Sequence, residues 1–235
     1  MPPFLRKFLV AAVFWTLAFG VINSTQAQSV PGRAEVRAVK GQAVYTVGNG
    51  PMIPVKVGNI LPPGTVLRTG PESLVDLFLG RSAGTLRVAA NSVLSLDRLT
   101  LTDTGLDTVV EVQLNLSEGQ ILGNVNKLNA ASKYEIKVPN GVAGIRGTRF
   151  SCMSGGDIVL VDGTLIFVHV QPGGNPVPFT LTPGTMFSPA AGVQPAPPEV
   201  LQQVIGQMPG MPQRGQAQAP QQPKSIEPYV STTTR

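Results

Sequence analysis

The first grouping that could do chemistry is a serine between glycines, Gly80-Arg81-Ser82-Ala83-Gly84. The pattern G-x-S-x-G serves hydrolases in which a strand turns sharply into a helix and presents the serine oxygen for attack. Here an apolar run at 74–79 precedes it, and Thr85-Leu86-Arg87-Val88 follows with strand character. The base would have to be His169, the only histidine, which lies within the apolar run Leu165–Val170. A hairpin turn at 80–84 is therefore expected. Cys152 and His169 form the other nucleophile–base candidate. They could meet if their strands were neighbours across the turn Ser154-Gly155-Gly156. Cys152 is the sole cysteine, so no internal disulfide forms, and it reads as a small buried core residue. One histidine and one cysteine fall short of a transition-metal donor set. Asp97, Asp103 and Asp107 lack calcium-loop spacing, and no phosphate-cradling glycine loop opens a helix. No catalytic residue, metal or cofactor is expected.

The most distinctive stretch is 134–153, YEIKVPNGVAGIRGTRFSCM. A strand runs to Val138 and turns at Pro139-Asn140-Gly141. Gly141, Gly144 and Gly147 then recur every third residue. Such regularity points to tight turning and close backbone approach, with Gly144 and Gly147 expected at positive φ. Arg146 sits between Ile145 and Gly147 with little bulk around it. It would pair with a carboxylate or with turn carbonyls, or else face a partner; Arg149 is the second interaction candidate. Gly141, Gly144, Arg146, Gly147, Thr148 and Gly163 make up the structural motif.

The elements that must position these residues are strands. Val110, Val112, Leu114 and Leu116 alternate with Glu111, Gln113 and Asn115, and Tyr134, Ile136 and Val138 alternate with Glu135 and Lys137. Val75, Leu77 and Leu79 alternate in the same way with Leu74, Asp76 and Phe78. Two apolar runs flank Asp162-Gly163, which predicts a hairpin there. Gly-Thr occurs five times, at 64, 84, 147, 163 and 184, with irregular spacings of 20, 63, 16 and 21 residues, 63 being three units of 21. Glycine allows a positive φ and the β-branched threonine re-enters a strand. The expected fold is all-β, a twisted solenoid-like stack of short strands, with a β-sandwich as the alternative.

Composition sets the boundaries. Arg6 and Lys7 precede 15 uncharged residues, 8–22, and Thr25-Gln26-Ala27 offers small residues for a signal peptidase. Residues 1–27 thus read as a cleaved export signal, the apolar run being short for a membrane span. The chain beyond the cut holds 16 basic and 13 acidic residues, too balanced for a nucleic-acid binder. The β domain is expected over 28–188. Residues 189–235 hold nine Pro and nine Gln and read as a mostly disordered tail. Within that tail, Val200, Leu201, Val204, Ile205 and Met208 follow Pro197-Pro198 at the spacing of a short amphipathic helix that could dock on the body or a partner, with a frayed segment as the alternative.

The run Gly141-Val142-Ala143-Gly144-Ile145-Arg146-Gly147-Thr148, with Phe150 following, resembles the FecR domain family. Val39, Gly41 and Ala43 open the domain in the family's order. Gly58, Leu61, Gly64, Arg68-Thr69-Gly70, Ser73 and Leu77 follow, then Leu116 and Gly119, and finally Val161 and Gly163. The resemblance spans about 33–188. It implies a twisted, solenoid-like periplasmic β module, whose signalling members carry a cytoplasmic sigma-factor-binding region and a transmembrane helix. Only five residues precede Arg6, so direct sigma-factor regulation is not expected. The expected role is a non-catalytic binding or structural module of the bacterial cell envelope, periplasmic or extracellular, contacting an envelope protein or polysaccharide. The alternative is a component of a FecR-like relay acting through a separate membrane protein.

Overall fold

A computed structural model describes residues 29–104, 107–171 and 173–209. Residues 1–28, where the export signal is expected, and the Pro/Gln-rich residues from 210 onward lie outside the described residues. Alternating sequence becomes alternating burial. In β10 (Thr108–Glu118), Val110, Val112, Leu114 and Leu116 are buried while Glu111, Gln113 and Asn115 face outward. β7 (Leu74–Gly80) and β12 (Lys133–Val138) follow the same rule, because a strand turns successive side chains to opposite faces.

The strands form two large sheets, with no closed barrel. The first runs β17 (Pro176–Leu181), β16 (Leu165–Val170), β13 (Gly141–Ile145), β12, β10, β9 (Val93–Asp103), β6 (Thr65–Thr69), β3 (Ala43–Val47), β4 (Ile53–Pro54). A short β1 (Ser29–Pro31) also pairs with β9. The second runs β19 (Gly192–Pro195), β18 (Thr185–Ser188), β15 (Ile158–Asp162), β14 (Arg149–Met153), β11 (Gln120–Asn124), β8 (Gly84–Val88), β7, β2 (Ala34–Lys40), β5 (Ile60–Leu61). Among the described residues β10–β12 is the parallel pair, and the other pairs are antiparallel. The inward faces of both sheets share one apolar cluster, which includes Leu67, Leu96 and Ile136 from the first and Leu77, Leu86 and Ile121 from the second.

Two expectations change here. The runs flanking Asp162-Gly163 do not form a hairpin. β15 pairs with β14 and β18 in the second sheet, while β16 pairs with β13 and β17 in the first. The turn therefore carries the chain across the core from one sheet to the other. Strand order also extends past residue 188, where β19 completes the second sheet, and the short helix read from the spacing of Val200–Met208 is present as α1 (Pro198–Gln207). Val204 and Met208 of this helical segment are buried against Leu122, with Ala89, Val159 and Val161 beside them. An isolated helix this short is marginal in water, so its apolar stripe is held by the outer face of the second sheet.

The outermost strands give little room for another chain to add on. β4 and β5 have two residues each, and Pro54, Pro176, Pro178 and Pro195 lie on outer strands. Proline removes a ladder donor, so these edges are blunted. The chain changes sheet at corners along the margins of the body, as at the turn between β15 and β16.

Candidate functional site

The glycine-arginine stretch lies at one such corner. Thr85, Asn124, Arg149 and Asp162 form a single cross-strand row at the margin of the second sheet. Just beyond that row the chain turns four times: at 81–83, at 125–132, at 146–148 and at 163–164. The four turns are packed against one another. Asn126 Nδ2 donates to the Arg81 carbonyl (2.6 Å), and the Val125 amide donates to the Thr148 carbonyl (2.9 Å).

The three regularly spaced glycines serve different ends. Gly147 has φ +82°, and a β-carbon there would press on the Lys127 backbone at 2.6 Å. Gly141 is a strand residue beneath Phe167, whose ring would meet a β-carbon at 2.6 Å. Gly144 contradicts the expectation of a positive φ. It lies in β13 opposite Glu135 and Ile166, and a β-carbon would meet only the Ile166 carbonyl at 3.7 Å. Its place in the every-third-residue pattern is a coincidence of spacing.

Arg146 is exposed, and its Nη1 donates to the Ala130 carbonyl at 3.2 Å, so it braces the 125–132 turn. Arg149 is half-buried beside Asp162, Nη2 to Oδ2 3.3 Å. Thr148 is buried between these arginines, and Gly163 has φ +90° immediately over Gly147. All five Gly-Thr glycines take positive φ, as the repeat predicts.

The nucleophile candidates stay apart. Ser82 lies in the β7–β8 turn, where Gly80 pairs with Gly84. Cys152 is in β14 of the second sheet and His169 in β16 of the first. The strands adjoining across Ser154-Gly155-Gly156 are β14 and β15, not β14 and β16. Burial, reinforced by Asp157, pushes the Cys152 thiol up to about 12, leaving it protonated at neutral pH. His169 Nδ1 lies 3.0 Å from the Asn140 carbonyl, with its ring between Phe167 and Phe187. Nδ1 must carry the proton to make that bond, as suits a packing histidine.

Sequence reasoning missed a second constellation. Arg87 grips Asp76 on the neighbouring strand with two hydrogen bonds of 2.6 Å and donates Nη1 to the Gln207 carbonyl at 2.7 Å. The hydrogen bond to Asp76, against the cost of burial, raises the Arg87 pKa. A guanidinium at the last carbonyls of α1 also complements the negative end of the helix. Outward-facing Asp76 and Arg87 in adjacent strands were the available signal, but nothing local pointed to Gln207.

Residues 64–175 match the family model described as FecR protein. This stretch is a FecR-like domain. It contains the whole glycine-arginine corner, from the 81–83 turn to Gly163. The two sheets of the FecR-like domain continue past the matched limits, since β2 pairs with β7 and β18 with β15. No curated protein matches the chain. Two crystal structures of a candidate anti-sigma factor from Parabacteroides distasonis ATCC 8503 are similar to it at 10% identity. One covers 56% of this chain and 59% of its own at a TM-score of 0.41; the other covers 60% and 65% at 0.43. The chain thus spans less than two thirds of either structure.

Proposed function

We propose that the mature protein is a non-catalytic FecR-like module of the bacterial cell envelope, exported by residues 1–27 and cut after Ala27. In this reading the β body, wound as a solenoid-like stack, works in the periplasm or outside the cell and contacts an envelope protein or polymer. The observation that carries it is the FecR match across the stretch that bears Arg146 and Arg149. The separation of Ser82, Cys152 and His169 agrees with a binding role. Cell fractionation with intact-mass measurement tests it. A chain beginning at Gln28 in the periplasmic or extracellular fraction supports the reading, and a full-length cytoplasmic chain overturns it.

The family match also favours a second reading, a component of a FecR-like signalling relay that acts through a separate membrane protein. Deleting the gene would then change transcription under envelope or nutrient stress. Unchanged transcription under all such conditions removes this reading.

A further inference from the structure

Charge is spread unevenly over the strands. Residues 68–162, which supply the middle of both sheets, hold 19 Asp, Glu, Lys and Arg side chains. Residues 163–198 supply β16, β17, β18 and β19 and hold none. Residues 41–67 supply β3, β4 and β5 and hold one, Lys56. These two stretches lie at opposite ends of the body: β4 and β5 end the two sheets on one side, and β17 and β19 end them on the other. Charge resumes one strand in from β5, where Glu35 pairs with Arg37 in β2.

Exposed apolar side chains follow the same division. Of the ten large ones among the described residues, nine lie in these two stretches. Val47, Met52, Ile53, Val57 and Ile60 belong to the first end, with Met52 67% and Val57 64% exposed. Ile166, Val170, Val177 and Val193 belong to the second, and Met153 is the one outside both. Each end is a closed wall that joins the two sheets. The Val55 amide donates to the Ala43 carbonyl of the first sheet (2.9 Å), and the Gly58 amide to the Val36 carbonyl of the second (2.8 Å). At the far end the Gly184 amide donates to the Leu160 carbonyl and the Ala196 amide to the Gly184 carbonyl, both at 2.9 Å. These bonds hold the passage from β17 in one sheet to β18 in the other.

A stacked β body that works alone shields its ends with charged or polar groups, because end strands otherwise offer themselves to other chains. Both ends here lack that shield, and their prolines and two-residue strands block only the addition of a strand. Exposed apolar side chains without charge among them have the composition of an interface core. A foreign partner would cover one end and leave the other bare. A second copy covers both with one kind of contact, because the two ends are cut from the same pair of sheets.

We infer that copies of this chain associate head to tail, the wall bearing Val177 and Val193 against the wall bearing Met52 and Val57 of the next copy. Such a contact is heterologous, so it runs on from copy to copy instead of closing at two. An end wall about 20 Å long on sheets about 10 Å apart is small, which places the contact among weak, concentration-dependent associations. Self-association goes beyond the envelope reading and is independent of the compartment in which the protein works.

Sedimentation velocity over a concentration series of the full chain is the test. One variant, Met52→Glu/Val57→Glu, alters the β4/β5 end, and another, Val177→Glu/Val193→Glu, alters the β17/β19 end. Met153→Glu is the control outside both. The mass of the unaltered protein and of the control should rise past that of a dimer. Each end variant alone should stay monomeric at about ten times the concentration at which the unaltered protein associates. An equimolar mixture of the two variants should form one-to-one dimers and nothing larger, since each supplies the end the other lacks. A protein monomeric throughout, loss in only one end variant, association that persists in both, or a mixture that stays monomeric overturns the inference. So does a monomer that floats with phosphatidylglycerol vesicles only while its ends are unaltered, which would assign those ends to a lipid surface. Matching thermal melts establish that the variants are folded, and serine replaces glutamate at the same positions if they are not.

Discussion

Gly163 passes so closely over Gly147 that a β-carbon on Gly163 would run into the Gly147 carbonyl oxygen. Both residues have positive φ, +90° and +82°. Two of the corners where the chain changes sheet are thus stacked glycine on glycine; a side chain on Gly163 would displace Gly147, and one on Gly147 would displace the Lys127 backbone. Gly163→Val and Gly147→Val should each destabilise the domain by at least about 1–3 kcal/mol, from backbone strain alone. Gly144→Val should leave stability within about 0.5 kcal/mol, because its position is ordinary strand with open space outside. Urea denaturation of the three variants checks this contrast, and an equal loss at Gly144 would refute it.

Arg87 joins two strands and a helix that are distant in sequence; its bond to Gln207 spans 120 residues. Its side chain is 22% exposed and that of Asp76 is 15% exposed, so the pair is shielded enough to matter. Arg87→Ala would strand the Asp76 carboxylate and free the end of α1. The expected loss is about 1–3 kcal/mol. Arg87→Lys should recover little, since an ammonium cannot hold both carboxylate oxygens and the helix carbonyl in one plane. Thermal melting, with hydrogen exchange at 198–207 as a local readout, distinguishes these outcomes.

Much of this was legible in the sequence, and the failures have physical causes. Alternation at Val110–Leu116 and Tyr134–Val138 fixes which side chains face the core, because the strand period is two. The turn at 80–84 was legible from the strand on each side of it. The Asp162-Gly163 turn was misread because two buried strands flank it either way. Whether the second strand folds back in the plane or crosses to the facing sheet depends on partners elsewhere, here β13 and β18. Gly144 and Gly147 look alike in sequence, yet only Gly147 meets a backbone from another turn. The tail was expected to be disordered from residue 189 on composition. The helix at 198–207 was legible as an exception from its apolar spacing, whereas β19 is ordered because β18 offers it an edge, and the seat at Leu122 that holds α1 is likewise not recorded in composition.

The docking of α1 rests on few contacts, chiefly Val204 and Met208 on the second sheet. Val204→Asp should release the helix while leaving the body folded, because the shared core of the two sheets lies on the opposite side of β11, where Ile121 points. Amide exchange at 198–207 should accelerate by an order of magnitude or more, with the melting of the body nearly unchanged. Cooperative loss of the whole fold would show instead that α1 belongs to the core.

Cys152 gives a pH prediction whose sign follows from its surroundings. It is fully buried, and both that burial and Asp157 oppose the thiolate, holding the thiol protonated up to about 12. In the unfolded chain the same thiol ionises near 9. Its contribution to stability is therefore complete below about pH 9 and is lost as pH rises toward 12. Buried Tyr134, whose pKa burial also raises, acts in the same direction. Melting temperature should fall on the alkaline side, and Cys152→Ala should make that fall shallower without removing it, since Tyr134 remains. Iodoacetamide at neutral pH should label the native protein negligibly and the urea-unfolded protein completely. Rapid native labelling would mean that the thiol is exposed and ionised, and would reopen it as a nucleophile.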